Sequence, residues 1–242
     1  MDEEKIIEIQ VKKSQKRIDR DIKEGFGYHH LTRSTTNKVL RTKISKRLSM
    51  TMMIVDLVGS TKLSTELSPM RLGRWVREFS QEATFVIESF DGHVLKYVGD
   101  AVIAYFIHEN NPKKNANNAV LAAKVLIQVV KHSVNPIMKK RGLPTLSLHV
   151  GIEHGKNSVL LYGHDKKNAH IDLIGLAFNL AAKMESISGS NQIVIGDNVY
   201  QKLYTEQKKN FKKVAAKKWK YHHVEYNHSY SVYESLLDGV KR

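Results

Sequence analysis

Two short apolar runs, each interrupted by an aspartate, constrain this 242-residue chain more than any other feature: IVDLVGST at 54–61 and LKYVGDAVIAYF at 95–106. The first is led by Met50 to Val55, rich in Met, Ile and Val and without a helical period, which predicts a buried strand. The second crosses a Gly-Asp turn between two alternating apolar segments, the pattern of a β-hairpin. An apolar strand that ends in a carboxylate lifts that charge to the rim of a core. Two such carboxylates on adjacent strands, Asp56 and Asp100, can converge on a divalent cation. Oxygen-only ligation with few protein ligands suits Mg²⁺, which completes its shell with water and substrate phosphates. A pair used in that way points to a nucleotide enzyme. Taken singly, Asp56 reads as a helix cap and Asp100 as a turn residue.

Composition narrows the class. Cysteine is absent, which excludes a disulfide framework, a thiolate metal site and a Cys nucleophile. The start, MDEEKIIEIQ, is charged from residue 2 and does not resemble a secretory signal. No apolar stretch approaches the roughly 18 residues that span a bilayer, so a cytoplasmic protein is expected. The length allows one sizeable domain and an accessory segment, at about 100–200 residues per domain. The formal net charge of +15 concentrates in residues 1–48 and 202–220. Contact of those flanks with nucleic acid or an anionic surface is one reading, and solvated flanks are the other.

Residues 3–24 are highly charged, with Ile6, Ile9, Ile18 and Ile22 on one stripe, which predicts a marginal helix in need of a partner surface. Gly25 and Gly27 end it, and 28–48 reads as a basic linker or arm. The division expected is therefore an N-terminal helix and arm over 1–48 and a catalytic domain over 49–242. Inside that domain the order is strand 49–56, helix from Pro69, hairpin 93–107, helix 113–135, strands 145–152 and 157–162, helix 176–187, strand 192–195, helix 197–208 and a last strand at 229–234. Pro69 suits a helix start, and Leu72, Trp75, Phe79, Ala83, Val86 and Phe90 keep helical spacing before Asp91-Gly92 stops it. The fold class predicted is α+β, a ferredoxin-like βαββαβ sandwich with appended αβ elements and a mostly antiparallel sheet flanked by helices.

Four motifs in register then resemble the catalytic domain of class III nucleotidyl cyclases: DLVGST, KYVGD, VGIEHG (150–155) and DLIGLAFNLAAKMES (172–186). The resemblance runs from Ser49 to Ser235 and is of the adenylyl type. It implies conversion of ATP to 3′,5′-cyclic AMP and pyrophosphate with two Mg²⁺ or Mn²⁺ ions, held by Asp56, Asp100 and the backbone carbonyl of Leu57. Gly59, Ser60 and Thr61 would offer backbone N–H groups to the phosphates. Lys96 would donate to a ring nitrogen of adenine and Asp172 would accept from its exocyclic amine, where guanine needs the opposite arrangement. Asn179 would orient the ribose, and Lys183, four residues on and on the same helix face, stands where the family carries a phosphate-holding Arg. Lys156 likewise replaces a phosphate-contacting Arg. Lysine keeps the charge and loses the bidentate fork. A further phosphate lysine is expected among Lys217, Lys218 and Lys220. Since one chain carries both half-sets, the resemblance implies a homodimer with sites shared across the interface.

Two other functions stay open on these residues: a cyclase of other base specificity, for GTP or a pyrimidine triphosphate, and a catalytically silent nucleotide- or nucleic-acid-binding module. His29, His30, His222, His223 and His228 read as surface or strand histidines, because no ligand pattern accompanies them.

Overall fold

The run at 50–55 forms the centre of strand β1 (Arg47–Leu57), and each of those six residues is buried. Alternate side chains on a strand face opposite ways, and both faces are covered. Met53, Val55 and Leu57 join one apolar cluster, whereas Met50, Met52 and Ile54 join another. Asp56 is the next even position, so the alternation that hides the methionines also sets the face on which this carboxylate stands. The computed structural model describes residues 2–24, 39–108, 111–163, 169–215, 218–219, 221–223 and 228–236. The His29-His30 pair, Lys217 and Lys220 lie outside the described residues.

Both neighbours of β1, which are β3 (Ala101–Phe106) and β4 (Leu148–Tyr162), pair with it antiparallel. With β2 (Gly92–Val98) outside β3, the order β2-β3-β1-β4 is that of the expected βαββαβ unit. Beyond β4 come β6 (Gln192–Gly196), β10 (Val232–Ser235) and β7 (Phe211–Lys213), and β4–β6 is the parallel pairing in an otherwise antiparallel sheet. A fifth strand in chain order, β5 (His170–Ile174), pairs with the far half of β4. A separate pair, β8 (His222–His223) and β9 (His228–Ser229), completes the strands described.

On the Met53 face lie α1 (Glu3–Glu24), α3 (Pro69–Ser89) and α4 (Pro112–Val129); α2 (Ser60–Glu66) precedes α3. The stripe expected of α3 buries Trp75, Phe79, Ala83 and Val86. It stops where Asp91 takes φ 60° and Gly92 packs so close to the Phe106 ring that a Cβ would sit 2.6 Å from it. The helix expected over 113–135 is different in detail: it leaves α geometry after Val129, makes one π turn (Val130–Val134) and resumes as α5 (Asn135–Lys140). Pro136 is the cause, because it has no N–H to return to the carbonyl of His132. That carbonyl instead accepts from Gln15 Nε2 of α1 at 3.2 Å.

The two strands expected at 145–152 and 157–162 are one continuous β4. The helix expected at 197–208 is divided into α7 (Asp197–Lys202) and α8 (Thr205–Lys208). Asn117 of α4 holds the break open, donating to the Lys202 carbonyl and accepting from the Tyr204 N–H, both at 2.9 Å. On the Met52 face lies α6 (Leu176–Ile187), whose Ala177 and Ala181 pack with Met50, Met52 and Ile54. Below it Glu153 is wholly buried, accepting from the Tyr230 hydroxyl and the His154 N–H at 2.7 Å each. Burial pushes its carboxyl up to about 8.

The charged N-terminal helix finds its surface on its own chain. Ile6, Ile7, Val11 and Ile18 pack on the α3/α4 cluster, and Leu40, in the segment read as a linker, is fully buried on the opposite face. Arg17 forks onto Glu82 at 2.5 and 3.1 Å and lies 4.3 Å from the centre of the Phe85 ring. The Glu82 side chain is only 2% exposed. Arg17→Ala leaves that carboxylate buried without its cation, and we expect a loss of about 3 kcal/mol in urea denaturation. Arg17→Ala with Glu82→Gln should recover at least half of it. A single-variant loss below about 0.5 kcal/mol contradicts this account of how α1 is held.

Candidate active site

The β2–β3 turn pairs Val98 with Ala101, so Gly99, at φ 62°, and Asp100 form its two-residue loop. This turn brings Asp100 beside Asp56. Oδ1 of Asp56 and Oδ2 of Asp100 are buried and accept no hydrogen bond. Burial, and then the adjacent Asp100, push the Asp56 carboxyl up to about 6. Glu185 of α6 approaches the same point, and its carboxyl is raised by burial and by Asp100. Orphaned carboxylate oxygens gathered where like charge already opposes ionisation fit a cation. Among the described residues no group of three or more His, Asp or Glu side chains forms a metal cage. An ion here would keep coordination positions for water and phosphate, as Mg²⁺ does. Leu57 turns its side chain into the opposite core, so only its backbone is offered to the site.

Gly59 caps α2 in the left-handed region at φ 74°, a conformation that favours glycine. Ser60 and Thr61 then open onto a cleft of about 610 Å³ that Gly99 and Asp100 also line. The phosphate-reading turn expected from the sequence and one of the two carboxylates therefore share one opening.

Lys96 Nζ donates to Asp172 Oδ2 at 2.5 Å, with the side chains 27% and 17% exposed. Two features of the sheet make this meeting. A bulge between Val94 and Lys96 shifts the register, so Lys96 pairs with Ile103 and shares its face. Simple alternation from Val94, which lies in the opposite cluster, would have turned Lys96 away. The second feature is the β4–β5 hairpin. Strand β5 is four pairing steps from β2, about 19 Å in a flat sheet and beyond the reach of the two side chains. The hairpin must curl back over the Met52 face, and Ile171 and Leu173 of β5 do share a cluster with Ile54, Ile103 and Tyr105.

Helix α6 has no side-chain cap of its own. Its Phe178 N–H donates instead to Oδ1 of Asn157, a fully buried residue of β4, at 3.3 Å. The helix sits so close that a Cβ on Gly175 would overlap Asn157 Oδ1, and one on Gly151 would overlap the Ala181 carbonyl. Asn179 and Lys183 are exposed, and the Lys183 ammonium lies 5.5 Å from the centre of the Tyr221 ring. Glu185 is two positions beyond Lys183 and six beyond Asn179, roughly 160° and 120° around the helix. The carboxylate site therefore lies on one flank of α6 and the Asn179–Lys183 stripe on another. Lys156 is exposed on β4 opposite Ser49. Lys218 is paired with Glu234 at 3.1 Å.

Residues 43–226 match the model of the adenylate and guanylate cyclase catalytic domain. The chain belongs to this class III cyclase family. It is 30% identical over 170 residues to a cytidylate cyclase of Staphylococcus aureus, covering 69% of this chain and 40% of that protein. It is 28% identical over 163 residues to an adenylate cyclase of Anabaena cylindrica, covering 64% and 30%. The chain thus spans less than half the length of these curated relatives. Among solved structures, the guanylyl cyclase Cya2 matches with a TM-score of 0.66 at 19% identity, covering 79% of this chain and 93% of that one. The adenylyl cyclase CyaB from P. aeruginosa matches with a TM-score of 0.63 at 24% identity, covering 79% and 95%. At those identities the structures speak for the cyclase fold alone.

Within this cyclase domain three contributors to the site depend on contacts that no local pattern reveals. Glu185 was visible only as a residue of the fourth motif. Asn157 sits in an unremarkable GKNS stretch, and its capping role depends on how α6 docks. Strand β5 is a five-residue HIDLI around Asp172, too short for its alternation to mark a strand.

The crowding of Asp56 gives a signed prediction. Its folded carboxyl holds a proton more tightly than the unfolded one, so the stability that protonation confers is complete below about pH 4 and is lost as the pH rises through about 6. The rise from 3.8 to about 6 bounds the penalty near 3 kcal/mol, which solvent screening of this half-buried group cuts to about 1. In metal-free protein Asp56→Asn should raise Tm by about 2–4 °C at pH 7.5 and by nothing at pH 4. Mn²⁺ should raise the Tm of the wild type and not of the variant. Equal Tm values for the two proteins at both pH values, or an equal response to Mn²⁺, contradict this.

Proposed function

We propose that this chain is a nucleoside triphosphate cyclase that joins the ribose 3′-oxygen to the α-phosphate of ATP or CTP and releases pyrophosphate. The observation that carries the reading is the Lys96–Asp172 pair. It offers one donor and one acceptor side by side. Adenine and cytosine both present an acceptor ring nitrogen beside an exocyclic amine, and guanine and uracil present the reverse order. The pair thus supports the adenine expected from the sequence and supports cytosine equally. Relatives at 28–30% identity are an adenylate cyclase and a cytidylate cyclase, the two bases this pair admits.

Asp56 and Asp100 would hold two Mg²⁺ or Mn²⁺ ions, with the Leu57 carbonyl as a further oxygen. Bound there, such ions acidify a coordinated hydroxyl and neutralise phosphate charge. The backbone of Gly59, Ser60 and Thr61 receives phosphate oxygens, Asn179 orients the ribose, and Lys183 and Lys156 oppose the charge that develops on the phosphates. Lysine at both positions supplies point charge without the planar fork of arginine, which favours a slow enzyme.

The separation of the Asn179–Lys183 stripe from Glu185 supports a head-to-tail homodimer in this reading: one chain gives the carboxylates, and its partner gives Asn179 and Lys183, together with Lys96 and Asp172. Tyr97, Val98, Ile174 and Leu176 are 43–55% exposed beside the base-reading pair, apolar surface that a second chain would cover. Among the described residues no helix is long and apolar enough to cross a membrane.

The direct test is incubation of purified protein with ATP, CTP, GTP and UTP in turn, with Mn²⁺, and identification of products by mass. Cyclic AMP or cyclic CMP is expected, with little from GTP or UTP. Cyclic GMP or UMP as the main product, or no cyclic product from any of the four, overturns the reading.

A further inference from the structure

We propose that Phe178 sets the size of the base this site accepts, and that its ring makes the site prefer cytosine to adenine. The inference rests on the cyclase reading above and goes one step beyond it. Lys96 and Asp172 meet the same two groups on either base, so they cannot tell ATP from CTP. The discrimination has to come from shape, and therefore from a side chain close to that pair.

Phe178 is such a side chain. Its ring centre lies 5.8 Å from Lys96 Nζ. A ring nitrogen accepting from Lys96 at about 2.9 Å would lie roughly 3–9 Å from that centre, a span that includes the separations of about 4.5–7 Å at which aromatic rings touch. The position is fixed from two sides. The phenyl ring packs on the cluster of Ile54, Ile103 and Tyr105, and the backbone N–H is held by the buried Asn157. A wall anchored in this way does not swing aside at low cost.

The place of the ring along the substrate gives the direction of the preference. Phe178 immediately precedes Asn179, the ribose-orienting position, and stands beside Lys96, which reads the far edge of the base. In this proposal its ring lies along the stretch between base edge and sugar. Adenine fills that stretch with a second fused ring, and cytosine does not. A phenyl group there shortens the available span and suits the one-ring base. A small side chain would lengthen it.

The test compares kcat/KM for CTP and ATP, with Mn²⁺ and mass detection of the cyclic products, in wild type, Phe178→Ala and Lys96→Ala. The wild type should prefer CTP. Phe178→Ala, with a Tm showing that it is folded, should lower the CTP/ATP ratio about tenfold or more, the scale on which pocket size discriminates. Lys96→Ala should weaken both substrates and leave the ratio within about threefold. Should Phe178→Ala make no product, the shifts in Tm produced by CTP and by ATP with Ca²⁺ give the same ratio for binding. A wild type that prefers ATP, or a folded Phe178→Ala whose ratio is unchanged by either measure, overturns this inference and leaves the cyclase reading standing. A wild type that cyclises none of the four triphosphates removes the cyclase reading itself.

Discussion

The seating of helix α6 on strand β4 is the contact on which the rest of the site depends. Gly151 and Gly175 leave no room for a Cβ between the two elements, and Asn157 supplies from β4 the cap that the helix lacks. With the helix axis fixed at that distance, its periodicity sets everything else. Glu185 turns toward Asp56 and Asp100, Phe178 toward Lys96, and Asn179 and Lys183 toward solvent. One rigid element thus carries Phe178 and Glu185 two turns apart along one flank and the Asn179–Lys183 stripe on another, and in the proposed function the separation of that stripe from the carboxylates is what calls for a second chain.

The electrostatics divide in the same way. A chain of net charge +15 keeps two carboxylates with orphaned oxygens at the end of its central strand and a third beside them. Clustered acid in a basic protein costs stability unless a cation or a proton neutralises it, and a nucleoside triphosphate arriving with divalent ions brings that neutralisation. In the proposed function the positive field of the remainder would attract the same polyanion and raise its encounter rate. For a triphosphate enzyme the basic flanks therefore need no nucleic-acid partner to account for them.

The motif residues and the βαββαβ order were legible in the sequence because each depends on local pattern. The buried run at 50–55 and the stripe of α3 are periodic signals, and the Gly-Asp turn is a signal of composition. What escaped depends on contacts far apart in the chain. The π turn at 130–134 follows from Pro136 but needs Gln15 of α1 to satisfy the carbonyl it frees. The face of Lys96 relative to Val94 is set by a bulge between them, which strand alternation cannot foresee. Strand β5 is short and earned its place by folding back on the sheet, so five residues of weak alternation carried too little signal. The break between α7 and α8 is held by Asn117, 85 residues from one of its partners. Base choice was the least legible, since adenine and cytosine present one pattern to the two residues proposed to read it.

The central claim is that the carboxylate half and the Asn179 half of each site come from different chains. Mixing tests it most directly: Asp56→Ala and Asn179→Ala proteins, each folded and each inactive alone, are combined and cyclase activity is followed. The account predicts partial recovery, approaching one quarter of wild-type activity when chains exchange freely, because half of the dimers then hold one intact site of two. Mixed dimers that form, shown by tagged pull-down, and yet stay inactive would contradict it.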